Sequence, residues 1–225
     1  MLKAAGTLIV FGTLLVSLIF YTPVTQLGSG FLVGEGRHLL TYYDLVKEAR
    51  VLKVKFPNQD DIEAELTFSD PASNLAILAL KEEVKIKAMP LKLNAHGLGP
   101  MNEPVFTLVY PWTNTMEDQH VLIEGSTLPD TASVLVKLNM TLDPVHSGSP
   151  LFNSNQEVVG MVLLGTHVRD RFPIDGSHNF AIPALLLEKV LKSGEIGESS
   201  HGAGDLPRQE FILKSKDNIV LVEAG

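Results

Sequence analysis

The residues most suited to chemistry in this chain are Asp143-Pro144-Val145-His146-Ser147-Gly148-Ser149-Pro150-Leu151. A serine followed by glycine, a small residue, proline and leucine, in front of a hydrophobic run, describes a tight turn. Such a turn can hold a hydroxyl out of a sheet while backbone N–H groups face a substrate carbonyl, which is the requirement of nucleophilic acyl transfer. The serine then needs a base to accept its proton near neutral pH and an acid to orient that base. Imidazole suits the first role because its pKa is about 6.5. His146 adjoins Ser147, but consecutive residues at a sharp turn point apart, which favours a plain turn histidine. His38 stands on the strand that approaches Asp44, where a structural role is the simpler reading.

Other constellations are weaker. His167 and His178 flank a loop over 168–177 and offer a metal or peptide site without the carboxylate that a metal motif supplies. Asp44 with Asp70 or Asp143 has the look of paired carboxylates, yet Asp70 and Asp143 each precede a proline, as turn residues do. Tyr110 and Trp112 are expected to pack at a barrel rim. No cofactor and no metal ion is expected.

The elements that must carry these residues are short strands. Gly28 to Gly34 and Arg37 to Thr41 read as a hairpin, and Val51 to Phe56 alternates so that Leu52, Val54 and Phe56 face a core. Ile62 to Phe68 alternates again, with Ala64, Leu66 and Phe68 expected inward. Leu75 to Leu80 reads as a fully buried strand. Residues 81–103 carry charge, Pro90, Gly97, Gly99 and Pro100, and mark a joint between two sub-domains. Strands are expected again at Val105–Tyr110, Val121–Glu124, Val134–Leu138, Val158–Leu164 and Phe180–Ile182. One helix is expected over Pro183–Leu191 with Gly194 as its stop. Glu195 to Gln209 reads as a polar linker, and Phe211–Lys214 with Ile219–Val222 as a last hairpin.

Composition narrows the classes. With 225 residues, 45% hydrophobic and 20% charged, the chain can bury a substantial core. A formal net charge of -8 with no Lys/Arg run argues against a nucleic-acid surface. The chain has no cysteine, which excludes a disulfide framework, a thiol nucleophile and thiolate metal sites. Up to Gly34 the only charged side chain is Lys3, and Ala4 to Tyr21 is unbroken apolar or small sequence. At about 1.5 Å per residue such a run just reaches a hydrocarbon core of about 30 Å. It reads as an uncleaved membrane anchor, the body lying beyond the membrane, or else Leu15 to Tyr21 is a buried first strand.

Five segments, in order, resemble the HtrA/DegP-like branch of the trypsin-fold serine proteases. They are Gly28-Ser29-Gly30-Phe31, Leu39 to Val46, Asp70 to Leu78, the Ser147 turn running into Gln156-Glu157-Val158-Val159-Gly160, and Asn179-Phe180-Ala181-Ile182-Pro183. The resemblance implies an all-β fold of two six-stranded barrels with the site between them. The barrels would span about 25–95 and 100–194, with a C-terminal helix, a hydrophobic segment over 1–24 ahead of them, and a linker and hairpin over 195–225. It leaves no room for the PDZ domain usual after such a domain.

The family's residues carry over one by one. The nucleophile position is Ser147. The general-base position holds Asp44 instead of histidine, and the orienting-acid position holds Asn74 instead of aspartate. The glycine two residues before the serine, whose N–H turns into the oxyanion hole, is Val145, and the glycine two after it is Ser149. A carboxylate with an ordinary pKa of about 3.9 is a far weaker base than imidazole, and losing triad members costs roughly 10⁴- to 10⁶-fold in turnover. The expectation is a pseudoprotease of the cell envelope that binds peptides, unfolded protein or an active protease paralogue, with a homo-oligomer left open. The alternatives are a weak serine hydrolase with a displaced base, and a metal-binding module built on His167 and His178.

Overall fold

Alternating apolar residues, punctuated by glycine and polar turns, build the strands of the first barrel: β1 (Gln26–Val33), β2 (His38–Tyr42), β3 (Leu52–Lys55), β4 (Ile62–Asp70) and β5 (Leu75–Leu80). The second barrel contains β6 (Pro104–Val109), β7 (Val121–Leu128), β8 (Val136–Asn139), β9 (Pro150–Asn153), β10 (Val158–Leu163) and β11 (Asn179–Pro183). The computed structural model describes residues 25–57, 59–85, 89, 91–96, 102–110, 120–129, 134–164, 179–197 and 206–225. Ala4 to Tyr21 lies outside these residues, and with it the choice between an anchor and a first strand.

Each barrel is closed by six strands, in the orders β1-β12-β3-β4-β5-β2 and β10-β11-β8-β7-β6-β9. Closure removes the unpaired edges that a sheet otherwise presents. The sixth strand of the first barrel is β12 (Ile219–Ala224), which lies antiparallel between β1 and β3 with Ala224 opposite both Gln26 and Leu52. The first barrel is therefore not confined to the N-terminal part of the chain.

The terminal hairpin expected over Phe211–Val222 does not form. Its first arm is a helix, because Pro207 stands at its start with a fixed φ and Glu210 pairs with Lys214 one helical turn on (2.7 Å). The chain after β2 holds a short helix α1 (Tyr43–Val46). After β11 comes α2 (Ala184–Ser193), and α3 (Arg208–Ser215) precedes β12. In α2, Ala184, Leu187, Val190 and Leu191 face inward, and the Gly194 N–H closes the last turn on the Val190 carbonyl (2.9 Å). Leu66 is exposed rather than inward, because the β4–β5 register shifts between Leu66 and Phe68.

α3 ties the second barrel to the strand that closes the first. Phe211 is fully buried, with its ring 5.2 Å from Phe152 and 6.3 Å from Phe106, edge-on to both. The Arg208 guanidinium lies over the Phe106 ring, 4.8 Å from its centroid, and pairs with Glu124. Gln156 donates from its side-chain amide to the Leu206 carbonyl (2.8 Å), and the Asn218 side chain accepts the Met89 N–H (3.0 Å). Residues 206–225 are thus packed against both barrels.

The candidate active site

The Ser147 turn is fixed by its own residue types. Asp143 is extended, Pro144 supplies the first residue of a single 3₁₀ turn through His146, and its fixed φ suits that start. The His146 N–H donates to the Asp143 carbonyl, and the His146 Nδ1 accepts the Asp143 N–H, both at 2.9 Å. An accepting Nδ1 places the ring proton on Nε2. Burial holds the His146 pKa below its ordinary value, against an opposing pull from Asp143.

Gly148 follows with φ at 99°, and a Cβ there would fall 1.9 Å from the Ser29 carbonyl oxygen. Only glycine brings the turn so close to β1. From the first barrel, the Ser29 N–H donates to the Ser147 carbonyl (2.8 Å) and the Ser29 hydroxyl to the Val145 carbonyl (2.7 Å). Thr41 on β2 donates its hydroxyl to the Ser29 carbonyl (2.8 Å). Ser29 and Thr41 lie within the segments Gly28–Phe31 and Leu39–Val46 and carry no candidate role in the sequence; the Gly-Ser-Gly setting is the signal that marks Ser29. These contacts place the nucleophile position at the junction of the two barrels.

The Ser147 side chain is fully buried, and its Oγ accepts the Leu164 N–H at the end of β10 (3.0 Å). The Ser147 N–H donates to the Pro144 carbonyl (3.2 Å). A planar trans peptide sets its N–H antiparallel to its C=O. Since the Pro144 C=O points at the Ser147 nitrogen, the Val145 N–H points away from it. The two amides that would have to converge on a substrate oxyanion therefore diverge. Turning the Pro144–Val145 peptide over would carry φ of Val145 from about -60° to about +120°, a region closed to a β-branched residue and open to glycine. The valine thus fixes the closed form of the turn. Ser149 is also buried, and its hydroxyl has no hydrogen-bond partner among the described residues.

Asp44 and Asn74 are brought together. Asn74 is fully buried with φ at 55°, a left-handed conformation that asparagine tolerates better than most residues. Its backbone carbonyl accepts the Tyr43 N–H (3.1 Å) and its Oδ1 accepts the Asp44 N–H (2.9 Å). Asn74 thereby satisfies two of the four N–H groups that the first turn of α1 leaves unpaired. Its Nδ2 is buried without a partner among the described residues. The Asp44 carboxylate pairs with Lys47, three residues on (3.0 Å). Burial, and secondarily Asp44, push the Tyr42 phenol well above its ordinary pKa.

The remaining candidates have other partners or positions. His38 begins β2, about 13 Å along the strand from Tyr42 at about 3.3 Å per residue, and burial lowers its pKa. Asp70 accepts the Ala72 N–H (3.1 Å), and Asp143 starts the 3₁₀ turn, so both serve turns. Tyr110 packs edge-on against the His120 ring at 5.3 Å. Trp112, His167 and His178 lie outside the described residues, and among the described residues no three acidic, His or Cys side chains group as metal ligands. No helix among them is long and apolar enough to cross a membrane.

The sequence pattern of the trypsin-like peptidase domain matches residues 28–161, which includes Asp44, Asn74 and Ser147. A periplasmic DegP-like serine endoprotease of Pseudomonas putida is 31% identical over 140 residues, covering 60% of this chain and 28% of that protein. The mitochondrial serine protease HTRA2 of Bos taurus is 26% identical over 194 residues, covering 83% of this chain and 40% of that one. The chain thus spans well under half the length of these relatives. The crystal structure of the serine endoprotease from Yersinia pestis superposes with a TM-score of 0.58 at 21% identity, covering 74% of this chain and 57% of that one. That likeness extends to the two-barrel fold.

Proposed function

The chain belongs to the trypsin-like peptidase domain family, in its HtrA/DegP-like branch, and from this premise we propose that it is a pseudoprotease. It keeps the family's cleft as a place to bind peptide, unfolded protein or an active protease relative, and works as a binding or regulatory partner in the cell envelope. The observation that carries this reading is the inward commitment of the Ser147 N–H to the Pro144 carbonyl, on a serine with no exposed surface. Asp44 and Asn74 supply neither a base nor an anionic orienter, and Val145 opposes the turn that would assemble an oxyanion site. Each loss is large alone: about 10²- to 10³-fold for one oxyanion donor and about 10⁴-fold for an aspartate-to-asparagine change at the orienting position. The envelope location draws on the periplasmic relatives and on the apolar run Ala4–Tyr21.

The test is the purified chain against unfolded casein, together with a fluorophosphonate probe. The expected result is saturable casein binding with no cleavage and no labelling of Ser147. Labelling or cleavage that disappears in Ser147→Ala would overturn the proposal in favour of a serine hydrolase with a non-standard base.

A further inference from the structure

Strand β7 has a neighbour along most of one side and along less than half of the other. Toward β6 the register runs unbroken from Val121 opposite Val109 to Ser126 opposite Pro104. Toward β8 it covers only Ser126, Thr127 and Leu128, opposite Asn139, Leu138 and Lys137. The cause is Gly125. A Cβ there would lie 2.3 Å from the Asn139 carbonyl oxygen and 2.4 Å from the Met140 side chain. The chain at the end of β8 thus folds across the glycine and leaves the sheet for the Ser147 turn.

The register also fixes which way each main-chain group points. The Thr127 N–H donates to the Glu103 carbonyl (3.0 Å), so that pair and every second pair beyond it are the hydrogen-bonded ones. These are Gly125 with Val105, Ile123 with Thr107 and Val121 with Val109. Ser126, Glu124 and Leu122 therefore turn their N–H and C=O groups away from β6. Those of Ser126 face Asn139 on β8, whereas those of Leu122 and Glu124 have no partner strand among the described residues. The edge lies open, with Val121 51% and Leu122 37% exposed and Glu124 exposed beside them. Unpaired strand groups next to exposed aliphatic side chains form a template for another chain.

We propose that the edge over 121–124 is a second peptide site, outside the Ser147 cleft, which takes an extended segment of unfolded protein antiparallel to β7. It adds a second contact for the unfolded protein assigned to the cleft, and it stands whether or not Ser147 reacts. The added strand continues the β7–β8 ladder and gives the N–H and C=O groups of Leu122 and Glu124 their partners. Leu122 and Glu124 share the outer face of the strand. Leu122 suits a large apolar side chain opposite it, and Glu124 suits lysine or arginine. The Glu124 carboxylate pairs with Arg208, whose guanidinium stands over Phe106 on the β6 side, so its other flank is left for the incoming cation. A net charge of -8 draws such a basic segment in. In an antiparallel strand the basic residue then comes two positions before the apolar one. A second copy of the chain is the poorer occupant. The open edge is about 14 Å long, whereas a stable dimer takes about 20–30 residues a side. Two copies paired about Ile123 would also set each Glu124 against a leucine.

The probe is a fluorescein-labelled peptide with lysine, valine and leucine in succession between threonines. It is titrated into the full-length chain by fluorescence polarisation, and hydrogen exchange is read by mass spectrometry. The expected result is saturable binding with slowed exchange of the Leu122 and Glu124 amides. The Leu122 N–H faces away from β6, so Leu122→Pro removes a donor at the open edge and no bond of the barrel, and should weaken binding about tenfold. Glu124→Lys should weaken binding of this peptide and strengthen, about threefold, that of the version with glutamate in place of lysine. That reversal decides the register even if the proline variant does not fold. No binding, or undiminished binding of the lysine peptide by either folded variant, would overturn the site. Slowed exchange confined to the segments around Ser147 and Leu164 would overturn it in favour of the cleft. Slowing at Leu122 and Glu124 with protein concentration alone would overturn the peptide in favour of a second copy. Fluorophosphonate labelling of Ser147 decides the pseudoprotease reading separately.

Discussion

Replacing Asp44 with histidine and Asn74 with aspartate, singly and together, tests whether the frame of a catalytic triad survives beneath the changed side chains. Asn74 is fully buried, gives its Oδ1 to the Asp44 N–H and leaves Nδ2 without a partner among the described residues. In Asn74→Asp the acceptor and the tolerated left-handed backbone remain. Removing the orphaned donor returns about 1–3 kcal/mol, but a buried carboxylate with no counter-charge costs about 3–5 kcal/mol. The net loss is about 2 kcal/mol.

Asp44→His alone gives up the partly exposed pair with Lys47, worth about 0.5 kcal/mol. Its new ring can accept the Nδ2 hydrogen of Asn74, which leaves the change near neutral but fixes the proton on Nε2. That is the tautomer unable to take a proton from serine. With both changes the ring donates from Nδ1 to the new carboxylate at position 74, a charge-assisted bond worth about 1.5–3 kcal/mol. Urea denaturation of the four proteins at pH 7 should therefore give a coupling of about 2 kcal/mol in favour of the pair. Nitrogen NMR should show the ring proton moving from Nε2 to Nδ1. Additivity within about 0.5 kcal/mol would mean that the two sites no longer form a triad frame.

Further outcomes follow from the turn and the tail. The Asp44→His/Asn74→Asp protein should still resist fluorophosphonate, and adding Val145→Gly should raise labelling at least about tenfold; labelling of the double variant at the triple variant's rate would refute the role given to Val145. Ser147→Ala removes the acceptor of the Leu164 N–H and should lower urea stability by about 1–3 kcal/mol, whereas a neutral change would mean the serine is not structural. Ser149→Ala removes a buried hydroxyl that lacks a partner among the described residues and should raise the urea midpoint. His146 binds a proton less readily folded than unfolded, so its contribution is present above the unfolded pKa of about 6.5 and lost as pH falls toward the lower folded value. His146→Asn, which keeps an acceptor for the Asp143 N–H, should flatten that decline between about pH 7 and 5 in denaturation curves.

Local patterning revealed those elements whose partners are near in sequence or whose burial is unambiguous. Leu75–Leu80 reads as a buried strand because every residue is apolar, and α2 is legible from Pro183, its apolar spacing and Gly194. The Phe211-Ile212-Leu213 run is short and apolar, which strand and helix share, so its helical state was decided by flanking Pro207 and by the Phe106–Phe152 surface it covers. That β12 closes the first barrel could not be read locally, since its neighbours lie almost a chain length away. At the site, sequence reading singles out Ser147, Asp44, Asn74 and Val145, and the structure sets Asp44 against Asn74 and Val145 in the turn before Ser147. Local sequence could not give the direction of the Pro144 carbonyl, which depends on how Gly148 seats the turn against Ser29.

The placement of β12 also has a consequence for the order in which the molecule can assemble during synthesis. All six strands of the second barrel are free to pair once residue 183 has left the ribosome. The first barrel, although its leading strands are the oldest part of the domain, stays open along β1 and β3 until residues 219–224 leave the ribosome. Those two edges are then available to chaperones, or to mispairing with other chains, for the whole interval. A product cut or terminated anywhere between α2 and β12 would carry a complete second barrel and a first one that cannot close.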